Sequence, residues 1–235
     1  MKSNIYARNV NIDGIPALVW GSKSEKVYIH VHGKMSRKEF AEGFAVIAES
    51  KGYQTISFDL PEHGERAENH EYRCDIWNGI RDLKLIAGYA FKHWKAVFLY
   101  GSSLGAFFSL HAYKELPIKK CLFQSPIVDM EHLIKKMMAQ LSVTEDDLRK
   151  RGEIPNPIDP LRWDYYRYVK EHPITAWDIP TAILYGGKDW FQSEKVMQGF
   201  VQAHGCDFTL SPGREHAFMG DGDEEIVNDW YLKKI

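Results

Sequence analysis

The chain has 235 residues, of which 44% are hydrophobic and 26% charged, enough for one large domain with a substantial core and no disordered character. Its formal net charge of −2 provides no field of one sign to attract nucleic acid or an acidic membrane surface. Cys74, Cys121 and Cys206 stand far apart, without metal-type spacing, and their odd number suits a reducing compartment.

MKSNIYARNVNIDG at the start lacks the apolar stretch of a signal peptide, and no apolar run approaches the roughly 20 residues that span a bilayer. The expectation is a cytoplasmic protein without membrane insertion. Ile5–Ile12 and Ile15–Trp20 flank Asp13-Gly14, a pair suited to a tight turn, so the chain is expected to open with a hairpin. Short apolar runs follow at Val27–His32, Thr55–Leu60, Ala96–Tyr100, Lys120–Gln124, Thr181–Tyr185 and Asp207–Leu210, as in strands buried on both faces of a parallel sheet. Helical patterns separate most of them, over Arg37–Lys51, Cys74–Lys92, Leu104–Lys114 and Ser193–His204. Such alternation predicts an α/β fold with a doubly wound, mostly parallel eight-stranded sheet.

Residues 126–176 break the rhythm, with no convincing strand. Met130, Leu133, Ile134, Met137, Met138 and Leu141 fall on one face of an amphipathic helix. Thr144 with Asp147 forms a capping-box pattern for a second helix that Gly152 would end. Asp159-Pro160 is suited to start a third, carrying Trp163, Tyr165, Tyr166 and Tyr168. The organisation expected is a core of residues 1–125 and 177–235 with a helical cap inserted at 126–176.

Gly101-Ser102-Ser103-Leu104-Gly105 follows the run 96–100 and precedes a helical segment, so G-x-S-x-G lies on a strand–turn–helix corner. The corner strains the serine backbone and exposes its hydroxyl, glycine on both sides avoids Cβ clashes, and the Leu104 N–H is left free for an oxyanion. Only Ser103, not Ser102, has glycine at both −2 and +2. A serine needs a base, and the base an orienting acid. Asp189 closes an apolar run that ends in Gly186-Gly187, and His216 follows the final strand and its loop, which gives the order serine, acid, histidine. Asp129, after the preceding strand, is the rival acid. His30 and His32 share a strand face, but no carboxylate pattern completes a metal site, and none is expected.

Val31-His32-Gly33-Lys34, Asp59-Leu60-Pro61-Glu62-His63-Gly64-Glu65-Arg66, Gly101–Gly105, 179–189 and Glu215-His216-Ala217-Phe218 occur in order over about residues 27 to 218. Together they resemble the α/β-hydrolase fold enzymes, nearest the small esterase and monoacylglycerol-lipase-like branch with a helical cap. The resemblance implies Ser103 as nucleophile, His216 as base and Asp189 as acid, with oxyanion N–H groups from Leu104 and Lys34, Met35 being next in line. It makes His63 a packed histidine beneath the site, and it departs from many relatives in placing Ser102 before the nucleophile. The implied activity is cofactor-free hydrolysis of a small-molecule ester with an apolar acyl or aryl group. Amides, peptides and thioesters remain open, as does a non-enzymatic ligand receptor on the same scaffold. Met137, Met138, Trp163 and Tyr166 of the cap are expected to line the substrate pocket. Oligomeric state is left open.

Overall fold

The computed structural model describes residues 5–156 and 159–235. The chain opens with β1 (Ala7–Ile12) and β2 (Ile15–Trp20), an antiparallel hairpin. Asp13 and Gly14 both take positive φ, 51° and 88°, as a tight two-residue turn demands, and Asn11 Oδ1 accepts the Gly14 N–H at 2.8 Å. β3 (Lys26–Val31) leads through a 3₁₀ turn, Lys38–Ala41, into α1 (Glu42–Ser50), so the expected continuous helix is broken. The break has an electrostatic cause. Lys38 is buried, and both its N–H (2.9 Å) and its Nζ (2.8 Å) bind Asp59, beyond the exit of β4 (Gln54–Phe58).

α2 (Ile76–His93), β5 (Ala96–Ser102), α3 (Leu104–Ala112) and β6 (Cys121–Gln124) continue the alternation. After the insertion come β9 (Thr181–Gly186), α7 (Glu194–His204), β10 (Asp207–Ser211) and α8 (Asp223–Lys234). α8 lies where no element is expected. Its acidic first turn (Asp223, Glu224, Glu225) and basic last turn (Lys233, Lys234) match the helix dipole and were the available signal. The eight-stranded sheet runs β1-β2-β4-β3-β5-β6-β9-β10, with every pair from β4 to β10 parallel.

Side-chain alternation divides the core between the two faces. Val27, Ile29, Phe123 and Ile183 join Leu83 and Ile86 of α2 and Phe108 of α3 on one side. Tyr28, Tyr100, Leu122 and Leu184 meet Phe44 of α1 and Trp230 and Tyr231 of α8 on the other. Each such fully buried apolar side chain stabilises the fold by roughly 1.5–3 kcal/mol. The covering helices explain why the inner strands read as continuous apolar runs.

Between β6 and β9 lie α4 (Met130–Gln140), α5 (Glu145–Arg151), β7 (Glu153–Ile154), β8 (Leu161–Arg162) and α6 (Trp163–Glu171). The capping box of Thr144 and Asp147 is present, and Gly152 ends α5. The third helix does not start at Asp159-Pro160. Leu161 and Arg162 instead pair antiparallel with Ile154 and Glu153, and α6 begins at Trp163. The apolar residues of this segment, including Leu133, Ile134, Leu148 and Tyr166, belong to the same buried cluster as α2 and α3 rather than to a core of their own. Among the described residues no helix is long and apolar enough to cross a membrane.

Candidate active site

β5 delivers the chain into a corner where Ser103 adopts φ 49° and ψ −116°, a strained conformation for a residue with a Cβ. A Cβ on Gly105 would lie 2.4 Å from the His32 carbonyl oxygen, so glycine is sterically required there, and one on Gly101 would meet Ala106 Cα at 3.0 Å, a tight contact that its neighbours would have to relieve. The strain is held from several sides. The Ser103 N–H donates to Gln124 O at 3.1 Å, and its carbonyl accepts the N–H groups of Phe107 and Ile127, each at 3.3 Å. Ser102 is still in the strand, paired with Gln124 of β6.

The loop after β9 turns back through an Asp189 N–H bond to Gly186 O at 2.9 Å. Asp189 Oδ1 accepts the N–H groups of Phe191 (2.7 Å) and Gln192 (3.2 Å), leaving Oδ2 for His216 Nδ1 at 2.7 Å. His216 Nε2 stands 2.7 Å from Ser103 Oγ. The Asp189 side chain is fully buried and the His216 ring 13% exposed, with the Phe191 ring against it at 4.3 Å. With a carboxylate on Nδ1, the imidazole carries its proton there and presents Nε2 as acceptor to the serine hydroxyl. Asp129, the rival acid, is spent elsewhere: its Oδ1 caps α4 by accepting the His132 N–H at 2.8 Å.

Beside the serine, the loop after β3 comes so close that a Cβ on Gly33 would sit 3.1 Å from Ser103 Cβ. His63 orders this loop. Its Nδ1 donates to Pro61 O at 2.7 Å, and its Nε2 accepts the Met35 N–H at 3.1 Å. That removes Met35 as a free donor, whereas the Lys34 and Leu104 N–H groups donate to no described residue. His32 is used likewise, with Nδ1 on Gly33 O (2.7 Å) and Nε2 accepting the Leu60 N–H (3.1 Å). Burial lowers the His63 pKa and pushes that of His32 down to about 4, so both rings stay neutral and able to accept. His30, its pKa pushed by burial to about 3, stacks on Tyr100 at 4.4 Å. Among the described residues no group of three or more His, Cys, Asp or Glu could hold a metal ion.

Ser103 and His216 open onto a cavity of about 700 Å³. Leu104, Ile127 and the α4 residues Met130, Leu133, Ile134 and Met137 make its apolar wall, and Lys34, ion-paired with Asp159, stands at a polar margin. Of the cap residues expected to line the pocket, Met137 does. Met138, Trp163 and Tyr166 do not. Met138 is buried at the edge of the α4 stripe, and Tyr166 is fully buried, its hydroxyl donating to Glu145 at 3.0 Å with Trp163 packed on its ring. Tyr165 lines the cavity instead, since neighbouring helical positions face about 100° apart. Met130, Leu133 and Ile134 were legible as lining too, because they share the Met137 stripe at i, i+3, i+4 and i+7.

No family model matches the sequence, and no curated protein does. Solved structures do match. Est1E of Butyrivibrio proteoclasticus, with ferulic acid bound, is 19% identical, with 97% of both chains covered and a TM-score of 0.79. The α/β hydrolase domain-containing protein 10 from mouse is 17% identical over 96% of both chains, with a TM-score of 0.73. A soluble variant of monoglyceride lipase from Saccharomyces cerevisiae, in complex with a substrate analog, is 15% identical over 100% of this chain and 96% of that one, with a TM-score of 0.72. At such identities the likeness speaks for architecture, and it agrees with the strand order and helical layers found here: the chain has the α/β-hydrolase fold.

Proposed function

We propose that the protein is a serine hydrolase that cleaves carboxylic esters through an acyl-enzyme. The observation that carries this reading is the unbroken line from Asp189 Oδ2 through His216 to Ser103 Oγ, 2.7 Å at each step, on the floor of an apolar cavity. His216 takes the Ser103 proton as Oγ attacks the ester carbonyl, and the Lys34 and Leu104 N–H groups receive the oxyanion. His216 then protonates the departing alcohol and activates the water that releases the acid. Neither metal nor cofactor enters these steps. Residues 126–176 serve as a cap whose α4 face chooses the acyl group. The apolar wall suits a small apolar acyl or aryl group, and the aryl acid bound in Est1E supports that reading.

The test is labelling with a fluorophosphonate probe, followed by peptide mapping. Ser103 should carry the label, and Ser103→Ala should abolish it while lowering kcat on aryl esters by at least about 10⁴-fold. Full labelling of the Ser103→Ala protein would falsify the assignment. Matched ester, thioester and anilide substrates separate the bond types that one triad can cleave. Binding of an ester without turnover, on an unlabelled Ser103, is the result expected of a receptor.

A further inference from the structure

The loop after β9 does more than deliver Asp189, because its next three residues each reach a different part of the site. Phe191 lies against the His216 ring and lines the cavity, Trp190 meets the cap, and Gln192 is fully buried with every position of its amide in use. Gln192 Oε1 accepts the N–H groups of Val128 (3.1 Å) and Asp129 (2.9 Å). Its Nε2 donates to the carbonyls of Asp129 and Phe191, both at 3.0 Å. Its main chain is held as well: the N–H donates to Asp189 Oδ1 at 3.2 Å, and the carbonyl accepts the Tyr185 hydroxyl at 2.9 Å. One side chain thus joins the loop of the acid to the residues just before α4, in a segment encoded 63 positions away.

A second tie lies further along the same helix. Lys136 donates from Nζ to Trp190 O, and its ammonium stands 4.3 Å above the Trp190 ring. Lys136 shares α4 with Met130, Leu133, Ile134 and Met137, whose side chains wall the cavity. A helix bonded turn to turn moves as a unit, so a shift of its apolar face carries Lys136 and the helix start with it. Residues 187–193 belong to no helix or strand, which leaves the position of the acid to these bonds rather than to regular structure.

We propose that Gln192 and Lys136 are positioning residues that transmit the filling of the α4 wall to Asp189, so that the acyl group governs the rate of the chemical steps as well as the strength of binding. The proposal rests on the ester-hydrolase reading above. Asp189 Oδ2 must hold His216 Nδ1 in one orientation for Nε2 to face Ser103 Oγ, and an error of about 1 Å in such a relay costs about 100-fold in rate. An acyl chain packed on Met130, Leu133 and Met137 settles α4 and, through the two ties, the loop behind His216. A short chain leaves the wall unfilled and the loop freer. The ties act twice in one turnover, since the acyl group stays on Ser103 while His216 activates water.

The experiment measures kcat and KM separately for p-nitrophenyl esters from acetyl to octanoyl. In the unaltered protein kcat should rise by about tenfold from acetyl to the preferred chain, while KM falls. Lys136→Met keeps the aliphatic stem and removes the bond to Trp190 O. It should flatten kcat to within about twofold across the series and preserve the fall in KM, because the apolar wall is untouched. Lys136→Arg retains the charge and a donor and should restore the rise. Gln192→Leu should flatten kcat as Lys136→Met does; where it fails to fold, Lys136→Met decides. A flat kcat in the unaltered protein overturns the proposal, as does a Lys136→Arg variant as flat as Lys136→Met. A purely structural role would lower kcat by one factor on every ester, and a rise that survives Lys136→Met in this way also overturns it. Failure of the ester-hydrolase reading looks different, with no ester of the series hydrolysed and no label on Ser103.

Discussion

Asp189 divides its two oxygens between tasks, and that division sets the cost of changing it. Oδ1 must accept two backbone N–H groups, from Phe191 and Gln192, while Oδ2 faces His216 Nδ1. In Asp189→Asn the amide oxygen stays with the two N–H donors, so the NH₂ turns to the imidazole. Nδ1 must then accept, the proton moves to Nε2, and the ring can no longer take the Ser103 proton. We expect kcat on an aryl ester to fall by about 10⁴-fold with little change in melting temperature. Asp129→Asn should stay at the wild-type rate, because asparagine caps a helix as well as aspartate does. A crippled Asp129→Asn beside an active Asp189→Asn would reverse the assignment. These residues were legible because each follows an apolar run at the point where glycine or a loop takes over. The expectation of Lys34 before Met35 as proposed oxyanion donor came from the resemblance, and its physical reason was not legible in the local pattern. That reason is His63, 28 positions away in sequence, claiming the Met35 N–H.

At the scale of elements, α4 and α6 differ in what sequence periodicity discloses. The apolar stripe of α4 fixes its own phase, and the cavity wall follows from it. Met137→Ala should enlarge that wall and move the optimum of a p-nitrophenyl ester series toward longer acyl chains. Met138→Ala should cost roughly 2–3 kcal/mol in urea unfolding and leave the order of preference unchanged. If both variants lose stability alone, the α4 face is core and the acyl group binds elsewhere. α6 carries aromatic residues at 163, 165, 166 and 168, on no single face, so its phase depends on where the helix starts. That start is set by the pairing of Leu161 with Ile154, a contact that capping signals at Asp159-Pro160 do not encode. Hence Tyr166 was expected in the pocket and Tyr165 occupies it.

For the molecule as a whole, buried neutral histidines make acid a denaturant before most carboxylates titrate. His30 and His32 hold pKa values near 3 and 4 in the folded state, against about 6.5 when unfolded. Below about pH 6.5 the unfolded chain binds protons that the folded one refuses, so stability falls with pH down to the folded values. The loss is about 1.4 kcal/mol per pH unit for each ring. Urea midpoints should therefore be lower at pH 5 than at pH 7.5, with a smaller drop in His30→Phe. Equal midpoints at the two pH values would contradict this. The order of strands and the hairpin could be read from alternating patterns, but the split of α1 and the presence of α8 depend on long-range partners, Asp59 for one and the sheet face for the other.

The insertion at 126–176 also partitions the chemistry. In the proposed site, Ser103 and the Lys34 and Leu104 N–H groups are encoded before it, Asp189 and His216 after it, and the two groups meet across the side-by-side strands β6 and β9. Neither stretch of chain holds all the residues of the proposed relay by itself. The insertion is tied to both groups at its first residues, where the Ile127 N–H meets Ser103 O and Val128 and Asp129 bind Gln192 beside Asp189. On the proposed reading, selectivity can therefore vary along α4 only while that anchor is kept.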